Sequence, residues 1–148
     1  MMLLPSGKTV NSNTPVYPGS NFTWGEVTKN CSRHLCDLVI NGRTIINKFE
    51  IEQKIVETAK KLDRIRKKLG DRPIHVNSWY RPPGVNANVG GSKYSRHLFG
   101  DGVDIRSDYF TPAQIWKLIE PDHHSGGLGK YFSFIHIDWR GTKARWRG

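Results

Sequence analysis

Cysteine, methionine, acidic side chains and long apolar runs are all scarce in this 148-residue chain. The two cysteines, Cys31 and Cys36, leave four residues between them, which is neither a zinc-knuckle nor a thioredoxin spacing. They read as two reduced thiols; His34 between them would still leave a metal short of a fourth ligand. Only Met2, Leu3 and Leu4 precede Pro5, so no secretory leader is expected, and nothing approaches the roughly 18 apolar residues of a membrane helix. The chain is therefore expected to be made in the cytoplasm and to need release by another factor if it acts beyond the membrane. Without a secretion signal, the sequons at Asn21 and Asn30 carry little weight. Acidic residues number 13 against 23 Lys and Arg, a formal charge of +10. That balance draws the surface to polyanions, whether nucleic acid, anionic wall polymers or acidic lipid, and charge does not choose among them. The length suits one domain with a core of its own.

Residues 1–21 are rich in Pro, Gly, Ser, Asn and Thr without periodicity and read as an extended arm or linker, leaving 22–148 as the folded domain. Thr23 and Glu26 have capping-box spacing, and Phe22 with Val27 can staple a short helix that fades near Asn30. Asp37 to Ile46 reads as irregular or short strand around the Asn41-Gly42 turn. From Phe49 to Leu69 the apolar positions recur at steps of three and four, and Gly70 stops the helix. Its other face carries Lys60, Lys61, Arg64, Lys67 and Lys68, which is either a polyanion patch or, as is commoner at this spacing, a solvated face. Pro73 to Tyr80 alternates as a strand, and Pro82-Pro83 ends it with Arg81 at a rigid exit. Thr111-Pro112-Ala113-Gln114 opens a second helix that Pro121 stops. His123 and His124 fall in the following loop, and Gly126-Gly127-Leu128-Gly129 reads as a flexible approach to the last strand. This order implies an α+β fold, helices packed on a small, mostly antiparallel sheet.

The stretch Ser95-Arg-His97-Leu-Phe-Gly-Asp-Gly-Val-Asp104 places an imidazole and a carboxylate on either side of two glycines, with a short apolar strand beginning at the carboxylate. Near the C-terminus, alternation in Phe134 to Trp139 puts Ile135, Ile137 and Trp139 on one face and Phe134, His136 and Asp138 on the other. Two nitrogens and one oxygen are then available to one cleft. Three protein ligands with a fourth position left for water is the pattern of a catalytic zinc, whereas structural zinc is usually closed by four ligands.

Ser78-Trp79-Tyr80-Arg81-Pro82-Pro83, Val89-Gly90-Gly91, Ser95-x-His97-x-x-Gly100-x-x-x-Asp104, Gly126-Gly127-x-Gly129-x-Tyr131 and Phe134-x-His136-x-Asp138 together resemble the zinc D-alanyl-D-alanine carboxypeptidase family. The likeness covers roughly residues 22 to 146. It implies the hedgehog-type metallopeptidase fold and one zinc ion held by His97, Asp104 and His136. It also implies that Arg81 holds or polarises the substrate carbonyl or carboxylate, and that Ser95 and Tyr80 contribute to substrate binding. The implied reaction is hydrolysis of a peptidoglycan amide bond beside a D-amino acid, with Arg81 stabilising the oxyanion that develops.

A carboxylate must also take the proton of the attacking water. Many family members place Asp or Glu three residues before the last histidine; this chain has Ser133 there, on the face opposite His136. Asp138, on the same face as His136 and about 6.5 to 7 Å along the strand, is the expected base. Its alternative role is orienting a metal ligand, with His123 or His124 then in reserve. The partner expected is bacterial peptidoglycan and the state a monomer, acting at the cell wall as a released phage endolysin or on a phage particle. The rivals are a non-catalytic metal- or wall-binding module and a nucleic-acid-binding protein; no nucleic-acid motif supports the latter.

Overall fold

Capping boxes start two of the four helices in the computed structural model, which describes every residue from Met1 to Gly148. Thr23 accepts from the Glu26 amide while Glu26 reaches back to the Thr23 amide, opening α1 (Trp24–Thr28). Thr111 and Gln114 do the same for α4 (Pro112–Ile119), with Pro112 pre-set in its first turn. The longest helix, α2 (Lys48–Lys68), is capped by Asn47, which accepts from the Glu50 amide. A short α3 (Pro83–Asn88) follows the Pro82-Pro83 pair.

The N-terminal residues are not a free arm. β1 (Met2–Leu3) and β2 (Thr9–Val10) pair antiparallel. Met2, Leu4, Val10 and Val16 are all buried in the same core as α2. Tyr17, Ser20 and Asn21 also hydrogen-bond the Asp63 carboxylate on α2. The boundary expected at residue 21 therefore does not exist as a structural break. A second hairpin joins β3 (Leu38–Ile40) to β4 (Arg43–Ile46) through Asn41 and Gly42, both at positive φ (52° and 76°) as a tight Asn-Gly turn requires.

The main sheet is built from β5 (His75–Ser78), β6 (Gly102–Arg106), β7 (Gly127–Lys130), β8 (Ile135–Asp138) and β9 (Ala144–Arg147). Its order is β5-β6-β8-β7-β9, antiparallel throughout except for the β7/β9 pair. The α+β class with a small, mostly antiparallel sheet is thus as the sequence implied. One detail differs. The glycine run at 126–129 is not a flexible approach, because Gly127–Lys130 forms an inner strand. The sheet then ends in Ala144–Arg147, the parallel edge strand beside it.

On one face of the sheet, Val103, Ile105, Ile135 and Ile137 lie buried with Ile51, Ile55, Ala59 and Leu62 of α2 in one core. Each of the valine, leucine and isoleucine side chains contributes about 1.5–3 kcal/mol when fully removed from water. Gly100 lets the loop before β6 press onto α2: its φ is +81°, and a Cβ there would collide with Ile55 and the Ile51 carbonyl. On the opposite face the register aligns one row across five strands. Ser78 pairs with Asp104, Asp104 with His136, His136 with Gly129, and Gly129 with Trp146. Cross-strand partners project from the same side, so this row forms a polar floor. No helix is long and apolar enough to cross a membrane.

Candidate metal centre

The floor opens into a cleft of about 370 Å³ whose lining includes Arg81, Ser95, His97, Asp104, Tyr131, His136 and Trp146. His97 comes from a short 3-10 turn, Arg96–Leu98, whose start Ser95 caps by accepting from the His97 amide. The turn is pinned where Arg96 forms a two-pronged ion pair with Asp101 at 2.9 and 2.6 Å and where the Arg81 amide donates to the His97 carbonyl. Asp104 and His136 are direct partners on β6 and β8. One ligating atom from each of His97, Asp104 and His136 lies within 4.8 Å of the other two, and all three residues are buried.

Hydrogen bonds on the outer nitrogens decide which atoms face inward. His97 Nδ1 lies 2.7 Å from the Trp79 carbonyl, which can only accept, so Nδ1 carries the proton and Nε2 presents its lone pair 3.3 Å from Asp104 Oδ2. His136 Nε2 lies 2.8 Å from Asp138 Oδ2, leaving Nδ1 facing Asp104 Oδ1 at 2.9 Å. Two imidazole lone pairs and a carboxylate thus converge with nothing between them to offset their negative ends except a proton on His136. Burial would lower His136, but Asp104 and Asp138 outweigh it and raise it above its ordinary value. A divalent cation can take the place of that proton. The mixed nitrogen and oxygen donor set, with each histidine oriented by a carbonyl or carboxylate behind it, suits zinc.

Asp138 is not placed to act as a base. It is fully buried, and its oxygens accept from the Gly127 amide, from the Arg140 amide and guanidinium, and from His136. Burial would raise its carboxyl, yet the bonds from Arg140, His136 and Gly127 outweigh this and hold it far below the usual carboxylate range. It is the carboxylate that orients His136 from behind. Neither reserve histidine reaches the cleft. His123 is buried on the far side of Asp138, 2.8 Å from the Asp138 carbonyl and edge-on to Trp139. His124 sits exposed in the loop after α4 and does not line the cleft.

Arg81 and Ser95 do line it, as the sequence suggested. Arg81 Nε donates to Ser78 Oγ at 3.1 Å, and its outer nitrogen touches Asp104 only at 3.5 Å, so most of its fork is free. Tyr80 does not. Its side chain is wholly buried and its hydroxyl is engaged with the backbone of Cys36, so it packs in the core away from the cleft. Cys31 and Cys36 are unpaired thiols. Sequence reasoning draws on Arg140 and Trp146 only for the nucleic-acid rival and does not place them at this cleft. The available signals were the i, i+2 spacing of Asp138 and Arg140, which shares a strand face, and Gly129, since a glycine inside a strand marks close approach of another group.

A paired-histidine and aspartate floor on a small α+β sheet is a metalloprotein site. The family model for Peptidase M15 matches residues 20–138, and the chain belongs to that family. The zinc D-Ala-D-Ala carboxypeptidase of Streptomyces albus G is 34% identical over 92 residues, covering 62% of this chain and 32% of that protein. The chain thus matches about a third of the length of this curated relative.

Proposed function

We propose that this protein is a zinc-dependent peptidase that hydrolyses an amide bond of bacterial peptidoglycan next to a D-amino acid. The observation that carries the reading is the convergence of His97 Nε2, His136 Nδ1 and Asp104 in a cleft flanked by a largely free Arg81. Membership of the Peptidase M15 family and the likeness to a zinc D-Ala-D-Ala carboxypeptidase support it. Zinc held by His97, Asp104 and His136 would supply a Lewis acid and acidify a water at neutral pH. Trp79 and Asp138 fix the two imidazoles in the tautomers that leave ligand lone pairs inward. Arg81 offers unspent N–H groups to a substrate carbonyl or terminal carboxylate, and Ser95 lies beside it for a backbone contact of the stem peptide. An endolysin role at the wall belongs to the same reading, helped by the net charge of +10; wall binding that hardly weakens as salt is raised would count against that charge effect.

Mass spectrometry of defined peptidoglycan fragments, with and without a zinc chelator, tests the proposal. Loss of a terminal D-alanine or scission within the stem, abolished by chelation and restored by zinc, is expected. A second reading, a metal- or wall-binding module without turnover, is favoured by one observation: Asp104, itself a metal ligand, is the sole carboxylate lining the cleft. Folded, zinc-loaded protein that leaves every fragment intact yet binds walls would establish it.

A further inference from the structure

The row of residues across the sheet continues past the metal ligands. Beyond His136 it meets Gly129, and beyond Gly129 it meets Trp146 on the edge strand β9. Because Gly129 has no side chain, the indole lies over it, in space a Cβ would occupy, and comes 5.3 Å from the His136 ring. An indole N–H can only donate, and Trp146 Nε1 donates to Tyr131 Oη at 2.9 Å. That bond takes an acceptor site of the phenol and leaves its own proton unspent. Tyr131 lines the cleft with its ring stacked flat on Phe134, centroids 4.5 Å apart.

Most other donors around the cleft are committed. Arg96 and Arg140 use their forks on Asp101 and Asp138. Both imidazoles use their outer N–H on Trp79 and Asp138. The hydroxyls of Ser92, Tyr94 and Ser95 also line the cleft, but none of them is held by a donor side chain as Tyr131 is. Arg81 lies on the flank after β5 and Tyr131 on the flank after β7, with the ligand-bearing strands β6 and β8 between them. By strand order the two donors flank the metal ligands from opposite sides.

We infer that Tyr131 is a catalytic residue whose hydroxyl donates a hydrogen bond to the carbonyl oxygen of the bond under attack, from the side opposite Arg81, and that Trp146 is a positioning residue that holds that hydroxyl. The inference rests on the peptidase reading above. Negative charge grows on that oxygen as the tetrahedral intermediate forms, so a donor fixed beforehand strengthens in the transition state more than in the ground state. The phenol keeps its proton throughout. A ring locked by stacking on Phe134 and by the indole N–H is such a donor.

The test compares Tyr131→Phe, Trp146→Phe and the double variant on a peptidoglycan stem peptide, with zinc content measured for each. Tyr131→Phe is expected to lower kcat by ~10- to 100-fold with KM nearly unchanged and zinc retained. Trp146→Phe keeps an aromatic ring but loses the N–H, and is expected to lower kcat by ~3- to 10-fold. That loss should vanish in the Tyr131→Phe background, since the indole acts through the phenol. Wild-type kcat in Tyr131→Phe overturns the inference while leaving the peptidase standing. An equal loss from Trp146→Phe in both backgrounds overturns the positioning role. Wild-type protein that holds zinc and cleaves nothing refutes the peptidase reading, and the inference with it.

Discussion

The two carboxylates that flank His136 show how one imidazole can face two aspartates with opposite duties. Asp104 meets the ring at Nδ1 from the cleft side, Asp138 at Nε2 from the interior side. Burial would raise both carboxyls, and both are instead held far below the ordinary range. For Asp104 the counterweights are the two histidines; for Asp138 they are Arg140, His136 and the Gly127 amide. The partners make the difference. Those of Asp104 are imidazoles that, once neutral, turn lone pairs toward the same point, so its charge is left for a cation. Those of Asp138 are N–H donors that use its charge completely. Here the carboxylate with unspent charge is the one that faces the cleft, and the saturated one is the one that holds the ring from behind.

The largest effect expected from breaking this arrangement comes from Asp104→Asn. An amide cannot supply the negative charge that a divalent cation needs between two neutral imidazoles, so zinc content should fall to background and turnover with it. A variant that keeps a full complement of zinc would remove Asp104 from the ligand set. Asp138→Asn should act differently: the metal site survives, but the His136 tautomer is no longer imposed. Zinc affinity is expected to drop about 10- to 100-fold, with activity largely regained in excess zinc. If Asp138 were the base, extra metal would not help, and kcat at saturating zinc would stay depressed. Smaller again is Gly129→Ala, where the new methyl collides with the Trp146 indole. Pushing a rigid ring out of a packed position costs about 1–3 kcal/mol, readable as a lower urea midpoint, and should reduce kcat without loss of zinc.

Elements whose signals are local are the ones legible in the sequence. The two capping boxes, the α2 periodicity, the Asn41-Gly42 turn and the ligand pair His97 and Asp104 around Gly100 and Gly102 depend on residues within a few positions of one another. What was not legible depends on partners far along the chain. Trp79 and Tyr80 follow β5, which ends at Ser78 after a register shift, so strand alternation no longer says where they point. The saturation of Asp138 needs an amide from β7 as well as Arg140. Beyond the short apolar run at residues 1–4, the N-terminal segment carries scattered apolar residues among Gly, Pro and Ser, a pattern with no period, yet Met2, Leu4, Val10 and Val16 each find a place in the core. The β9 strand is only four residues, Ala144–Arg147, too short for its alternation to stand out, and it pairs with β7 as a parallel edge.

Asp63 extends the comparison to a third buried carboxylate, held without cations or imidazoles. It accepts from Tyr17 Oη at 2.6 Å, Ser20 Oγ at 2.8 Å, and the backbone and side-chain nitrogens of Asn21 at 3.1 and 3.0 Å. Burial would raise it, but these bonds, with Tyr17 first, outweigh burial and lower it; in turn burial and Asp63 push the Tyr17 phenol up to about 12. A carboxylate lowered on folding contributes stability that is present above its unfolded value, about 3.9, and is lost as pH falls through the folded one. Asp63→Asn should therefore cost about 1–2 kcal/mol at pH 7, with the difference from wild type shrinking in urea titrations taken progressively below the unfolded value. Because Tyr17, Ser20 and Asn21 all belong to the N-terminal segment, the loss should appear first as faster amide exchange in β1 and β2. A difference that stays constant as the pH is lowered would mean that the geometry of the contact, and not the charge on Asp63, holds that segment to α2.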